Sequence, residues 1–270
     1  MEDSSYSGIS IHEFKMPSIP PAKNPISRLV RRLIHYFLFI FFSTKCLMKT
    51  AKDYGKPNVV YGLTSHGCVT AYIANKLWRV PNITRLYGTF LYPYLSNSFR
   101  LFFSHFEEVL AFKLACRYLI ITNDGTRGDE VARAFRVPSE RVKYWMNGTN
   151  FLHNANINAK RLREELQIPK EAHVVISVCR LAPWKGVDRL IRAVPAVAST
   201  DSNVRVLIIG EGEDRENLEH ISETLSIKKF VNFLGTKAHE DVKKYLLASD
   251  IFVSLNDFSN ISSALLEAMA

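Results

Sequence analysis

Apolar residues recur along the chain with two alternating periods. Short β-branched or aromatic runs predict strands at Ile9–Phe14 ("ISIHEF"), Asn58–Leu63, Asn82–Gly88, Tyr118–Asn123 and Arg141–Met146. Between them, apolar residues three and four apart predict helices at Ser27–Thr50, Val69–Trp78, Ser98–Cys116 and Arg127–Phe135. The alternation then starts again. Strands are predicted at His173–Ser177 ("HVVIS"), Val204–Gly210, Phe230–Gly235 and Asp250–Leu255. Helices are predicted at Val187–Ala198, Arg215–Leu225, Glu240–Ala248 and from about Ser262. Two such runs make two doubly wound α/β domains. The polar segment Asn147–Asn156 separates them and sets the domains at 1–150 and 151–270.

Arg28–Met48 is the most apolar helical stretch. Its uninterrupted apolar core, Tyr36–Phe42, is far shorter than the ~20 residues of a membrane span. Val30, Leu33, Ile34, Phe37, Leu38 and Phe41 form a helical stripe, which suits a packed or an interfacial helix. A hydrophobic content of 47% with 23% charged residues fits a globular chain with a substantial core. The cysteines (Cys46, Cys68, Cys116, Cys179) show no paired spacing, so no structural metal is expected and a reducing, cytoplasmic compartment is. The polar start, Met1–Ser10, does not read as a secretory signal.

Charge changes the picture. Residues 1–150 hold 20 Lys and Arg against 10 Asp and Glu, so the whole net charge of +9 lies in the first half. A basic half can face nucleic acid, anionic lipid or an anionic substrate. There is no nucleic-acid recognition motif and no basic patch interleaved with aromatics, so no nucleic acid partner is expected. An anionic membrane surface stays open, with Arg28, Arg31, Arg32, Lys45 and Lys49 around the apolar stripe.

Candidate chemistry concentrates in "SVCRLAPWKGVDRL", Ser177–Leu190. Arg180 and Lys185 sit where a strand gives way to a helix. Strand carboxyl ends and helix N-termini in such sheets attract anions, so two cations there point to a phosphate ligand. Gly210 and Gly212 in "IIGEGED" end a strand and open a helix, where glycine permits close backbone approach. His66 follows the predicted strand Asn58–Leu63, and is either an acceptor-side group or a structural histidine.

These stretches together resemble family 4 retaining glycosyltransferases of the GT-B fold. "SVCRLAPWKGVDRLIRAV", "VRVLIIGEGEDRENLEHI", "FVNFLGTKAHEDVKKYLLASDIFVSLNDFSN" and "LLEAMA" follow in the family's order over Val174–Ala270. The first half is similar more loosely, through "VVYGLTSHG", "ITRLYGT" and "NGTN". The resemblance implies two Rossmann-like domains facing a cleft, an acceptor domain and then a nucleotide-sugar domain. It implies that Arg180 and Lys185, followed by Gly186, hold the donor diphosphate, and that Glu267 binds the ribose hydroxyls. The family's other motif glutamate falls at Ser259. Ser259, Asn260 and Ser262 then stand as donors to the sugar or diphosphate, or as an N-cap for the last helix. Cys179 stands where the family has glycine. Tyr87, Gly88 and Thr89 occupy the loop where the family often has an acceptor-side histidine.

The activity implied by the resemblance is a retaining transfer of a sugar from a nucleoside diphosphate sugar to a hydroxyl of a glycan or lipid-linked acceptor, in polysaccharide, lipopolysaccharide or glycolipid synthesis. No cofactor or metal is implied, and the enzyme would be peripheral on the inner face of the membrane. Ser259 also allows a non-catalytic nucleotide-sugar-binding subunit. Against the family pattern, the chain is expected to lack a first strand with its glycine-rich loop, and the closing crossover helix, so that alone it transfers little.

Overall fold

A computed structural model describes residues 10–22, 24–122, 125–148, 159–258 and 261–270, with backbone alone at 98–100 and 102. The chain divides into two compact units, Met1–Met146 and Asn147–Ala270.

The first unit runs α1 (Pro25–Tyr54), β1 (Val60–Leu63), α2 (Thr64–Trp78), β2 (Asn82–Leu86), α3 (Ser98–Lys113), β3 (Tyr118–Ile121), α4 (Gly128–Ala134) and β4 (Val142–Tyr144). Its four strands are parallel in the order β1-β2-β3-β4, so all their carboxyl ends share one edge. Leu86, Leu119 and Ile121 from the strands close a core with Cys68 of α2, Val109 and Phe112 of α3 and Val131 of α4.

α1 starts where its local sequence says it should. The Asn24 Oδ1 accepts from Ser27 N at 2.8 Å, Ser27 Oγ accepts from Asn24 N at 3.0 Å, and Pro25 fills the first turn. Only Tyr36 of this helix is fully buried. Its hydroxyl donates to Ser65 O at 3.2 Å, and its ring meets Phe106 edge-on. Beside it Arg32 grips the buried Glu107 with both guanidinium arms. Val30, Ile34, Phe37 and Phe41 are left exposed while Leu33 and Leu38 are half-buried, so most of the predicted stripe is not core.

The predicted strand at Ile9–Phe14 does not form: residues 10–14 pair with no strand. Their alternation has another cause. His12 and Phe14 lay their rings against Tyr54 and Phe39 of α1, at 5.4 and 5.5 Å, so one side of an extended segment rests on a helix.

The second unit runs α5 (Ala159–Glu165), β5 (Val174–Val178), α6 (Val187–Thr200), β6 (Arg205–Ile209), α7 (Arg215–Thr224), β7 (Val231–Gly235), α8 (His239–Leu247), β8 (Ile251–Phe252) and α9 (Ser263–Met269). The strands are parallel in the order β7-β6-β5-β8. β6 shows why its sequence is apolar throughout: Val206 and Ile208 pack with Ile191 of α6 and Leu218 of α7, while Leu207 and Ile209 pack with Val242 of α8. The chain steps from β5 out to β7, then returns to the far side of β5 as β8. Such a reversal opens a crevice beyond the carboxyl ends of the two strands on either side of it, here β5 and β8.

Candidate functional site

Two loops meet at that crevice: residues 179–186 after β5 and residues 253–258 after β8. They are fastened together. Asp257 N donates to Trp184 O at 2.9 Å, and Arg189 of α6 donates to Leu255 O at 3.1 Å and to the Asp257 carboxylate. Gly186 caps α6 at φ +67°, and a Cβ there would strike Leu255 O. Its glycine is a requirement of loop against loop.

Lys185 stands on the last turn before this cap. Its Nζ lies 4.2 Å from the Trp184 ring centroid, a cation–π contact. Burial pulls its pKa below the usual lysine value. Among the described residues no carboxylate reaches it. A half-buried cation without a counter-charge is poised to take an anionic ligand.

Arg180 differs. It lies exposed and its guanidinium donates to Glu213 Oε2, Nη2 at 2.9 Å and Nε at 3.2 Å. Glu213 belongs to a third loop, after β6, which is tied to the first by Leu181 N to Glu211 O and Asp214 N to Leu181 O. Gly210 and Gly212 lie in this loop with their open sides against the Cys179 and Leu181 carbonyl oxygens. The close approach they permit is to the neighbouring loop. Cys179 packs against the second unit's core, and burial raises its thiol pKa.

Glu267 of α9 is buried, 3.6 Å from His239 Nε2, beside a cavity of about 330 Å³ that Ile176, Phe252 and Ala270 also line. Ser262 is an N-cap: its Oγ accepts from Leu265 N at 3.2 Å. Ser259 and Asn260 lie outside the described residues. The structure thus gathers Arg180, Lys185, Gly186, Gly210 and Gly212 on two adjoining loops, with Glu267 in separate contacts.

In the first unit, His66 sits in the first turn of α2, packed beneath α1 among Tyr36, Phe39 and His35. Burial, first of all, holds its pKa below the usual imidazole value. Gly88 follows β2 at φ +97°. The loop it opens is held by Glu108, which accepts from Thr89 Oγ1 at 2.8 Å and from Phe90 N at 3.0 Å. His105 joins it from a kink in α3, against the Tyr94 ring at 4.9 Å and 3.8 Å from Glu108. No spacing in the sequence links His105 to this loop; only the packing of α3 does.

Residues 158–270 match the family Glycosyl transferases group 1. An uncharacterized glycosyltransferase of Methanocaldococcus jannaschii is 29% identical over 170 residues, 62% of this chain and 43% of that protein. The lipopolysaccharide core biosynthesis glycosyltransferase LpsE of Rhizobium meliloti is 32% identical over 108 residues, 40% of this chain and 30% of that protein. The chain spans less than half the length of either relative. The crystal structure of Anabaena HepE in complex with UDP superposes with a TM-score of 0.67 at 23% identity, covering 84% of this chain and 60% of that one. The fold is that of the GT-B glycosyltransferases.

Proposed function

We propose, from the glycosyl transferases group 1 domain that residues 158–270 form, that the protein moves a sugar from a nucleoside diphosphate sugar to an acceptor hydroxyl with retention of configuration. The observation that carries this reading is Lys185, a half-buried cation at the β5–β8 crevice with no carboxylate partner among the described residues. Breaking the glycosidic bond places negative charge on the leaving diphosphate. A fixed cation in a partly desolvated site stabilises that charge most as it develops. Arg180 joins once it exchanges Glu213 for phosphate. The leaving phosphate oxygen, on the same face as the incoming hydroxyl, takes its proton, so the reading requires no protein base and assigns no metal. On the acceptor side, the loop around Gly88 and the His105–Glu108 pair are the groups within the first unit that would orient a hydroxyl.

The direct test is release of nucleoside diphosphate from a panel of nucleoside diphosphate sugars, with and without glycan and glycolipid acceptors. Release that depends on an acceptor supports transfer. Saturable binding with no release in any combination supports the second reading, a nucleotide-sugar-binding subunit, which Ser259 in place of a glutamate favours. A narrower test concerns Glu267. Glu267→Gln is expected to lower affinity for a ribonucleoside diphosphate more than for its 2′,3′-dideoxy analogue. Equal losses would remove Glu267 from the ribose.

The acceptor side is proposed to work at an anionic membrane surface, as a peripheral protein. No helix among the described residues is long and apolar enough to cross a membrane. At about 100° per residue, Val30, Ile34, Phe37 and Phe41 fall within an arc of about 60° on α1, and Arg31, Lys45 and Lys49 lie along one side of that arc. Phe37 and Phe41 are 65% and 61% exposed. Each cation near an anionic surface adds about 1 kcal/mol, and aromatic insertion adds to it. Vesicles with anionic lipid are expected to capture the protein at low salt and release it at 1 M, where the Debye length is ~3 Å. Arg28, Arg31, Lys45 and Lys49 changed together to Gln should abolish capture. Arg32 is excluded from that set because Glu107 already holds it. Capture that survives the four changes would place the membrane face elsewhere.

A further inference from the structure

The amino-terminal edge of the first sheet holds a cluster that donor and acceptor chemistry leave unused. Arg79 ends α2, Asn82 opens β2, Arg117 precedes β3 and Arg141 precedes β4. Because the strands are parallel, these positions come to one edge. They line, with Cys116, a cavity of about 490 Å³ to which no carboxylate contributes. A five-residue strand is about 16 Å long, so this edge lies well away from the carboxyl edge that carries Gly88.

The three arginines differ from the paired ones in the unit. Arg32, Arg127 and Arg133 each hold a carboxylate: Glu107, Glu130 and Asp129. Among the described residues Arg79, Arg117 and Arg141 hold none. Convergent cations without a counter-charge repel one another, and a bound anion would relieve this. The site is also set in place. Arg117 lies over the Tyr118 ring at 5.6 Å, and Lys143 reaches the same ring at 5.6 Å. The Arg117 backbone N–H donates to Asn82 O, and the buried Asn82 donates its side-chain amide to Ala115 O at 3.1 Å. Burial raises the Cys116 thiol pKa, opposed by a hydrogen bond with Thr84 and then by the nearby Arg141 charge. Guanidinium groups match phosphate through paired N–H donors, and a cavity of this volume takes more than one phosphate group.

We infer that the cavity among Arg79, Arg117 and Arg141 is a second anion site, for a phosphate- or diphosphate-bearing ligand, independent of the crevice that holds Lys185. The chemistry is shared by a free phosphorylated metabolite and by a phosphomonoester lipid headgroup.

The test uses pyrophosphate as probe and calorimetric titration as readout, at constant ionic strength in chloride. Arg180→Gln with Lys185→Gln removes the crevice cations, and this double variant is expected to keep one saturable pyrophosphate site. Adding Arg79→Gln, Arg117→Gln and Arg141→Gln should abolish it, and each single change should weaken it about tenfold. All three side chains are exposed, so a thermal unfolding curve that matches the parent shows that the fold is kept. The same proteins are then mixed with phosphatidate or phosphatidylcholine vesicles. Capture by phosphatidate that the three arginines control assigns the headgroup. Pyrophosphate binding without such capture assigns a soluble ligand. The inference is overturned if the Arg180, Lys185 double variant binds no pyrophosphate, or if the three further changes leave its binding intact.

Discussion

Lys185→Ala is expected to weaken nucleoside diphosphate binding by about 2–3 kcal/mol, roughly 30- to 150-fold, and to slow transfer by at least as much. Among the described residues Lys185 has no carboxylate to give up first, only its contact with the Trp184 ring. Arg180→Ala should cost less, because Arg180 must leave Glu213 before it can bind phosphate. That pair is exposed on both sides, at 70% and 53% of the side chains, so water screens it and releasing it costs little. Glu213→Gln should then tighten binding slightly. The pH profile carries the same signature. Burial depresses the Lys185 pKa, so its charge is lost, as pH rises, before that of an ordinary lysine near 10.4. Affinity should fall with rising pH in the alkaline range, and the Ala variant should lose this fall. Calorimetry with a nucleoside diphosphate at several pH values measures both. An affinity unchanged in Lys185→Ala would remove the diphosphate from this loop.

Gly210→Ala is expected to cost about 3 kcal/mol or more of folding stability. Its φ of +138° is a conformation that side chains rarely adopt, and the new methyl would be driven into the Cys179 carbonyl oxygen. Neither neighbour can yield easily: Gly210 N donates to Gly235 O at 3.0 Å and Cys179 N to Ile209 O at 3.1 Å. Gly55 supplies the comparison. It also has positive φ, at +89°, but nothing lies within 4 Å of the added carbon. Gly55→Ala should therefore show the backbone strain alone, about 1–2 kcal/mol. Urea titrations followed by circular dichroism give both values. Equal losses would mean that the Gly210 contact does not exist.

The second unit is the more legible half. Val174–Val178 and Arg205–Ile209 are apolar runs bounded by polar or glycine turns, and strands buried on both faces leave that trace. Helix α5 leaves no such trace, because "AKRLREE" is short and mostly charged. Its tie is a tertiary one: Arg163 donates to both oxygens of Asp250, 87 residues away. α2 begins five residues before its predicted start, since Thr64–Gly67 carries no apolar period. Ile9–Phe14 misleads for the opposite reason. Its alternation is real, but a helix rather than a strand lies alongside. At the site, residue types at a strand-to-helix turn point to Arg180 and Lys185. Which of them is free is not written in the sequence, because Glu213 comes from another loop. His105 is hidden for the same reason.

The fastening of residues 179–186 to residues 253–258 has a thermodynamic consequence. A flexible loop that closes on a ligand loses its freedom at that moment, and the loss weakens binding. Here Asp257 N, through the Trp184 carbonyl, and the Arg189 guanidinium, through the Leu255 carbonyl and the Asp257 carboxylate, join the two segments as part of the fold itself. Their entropy is lost at folding, against the burial of a whole core rather than against a few phosphate contacts. The crevice is therefore preorganised over these segments, and the ordering that remains falls on side chains: Arg180 turning from Glu213, and Lys185 lifting from the Trp184 ring.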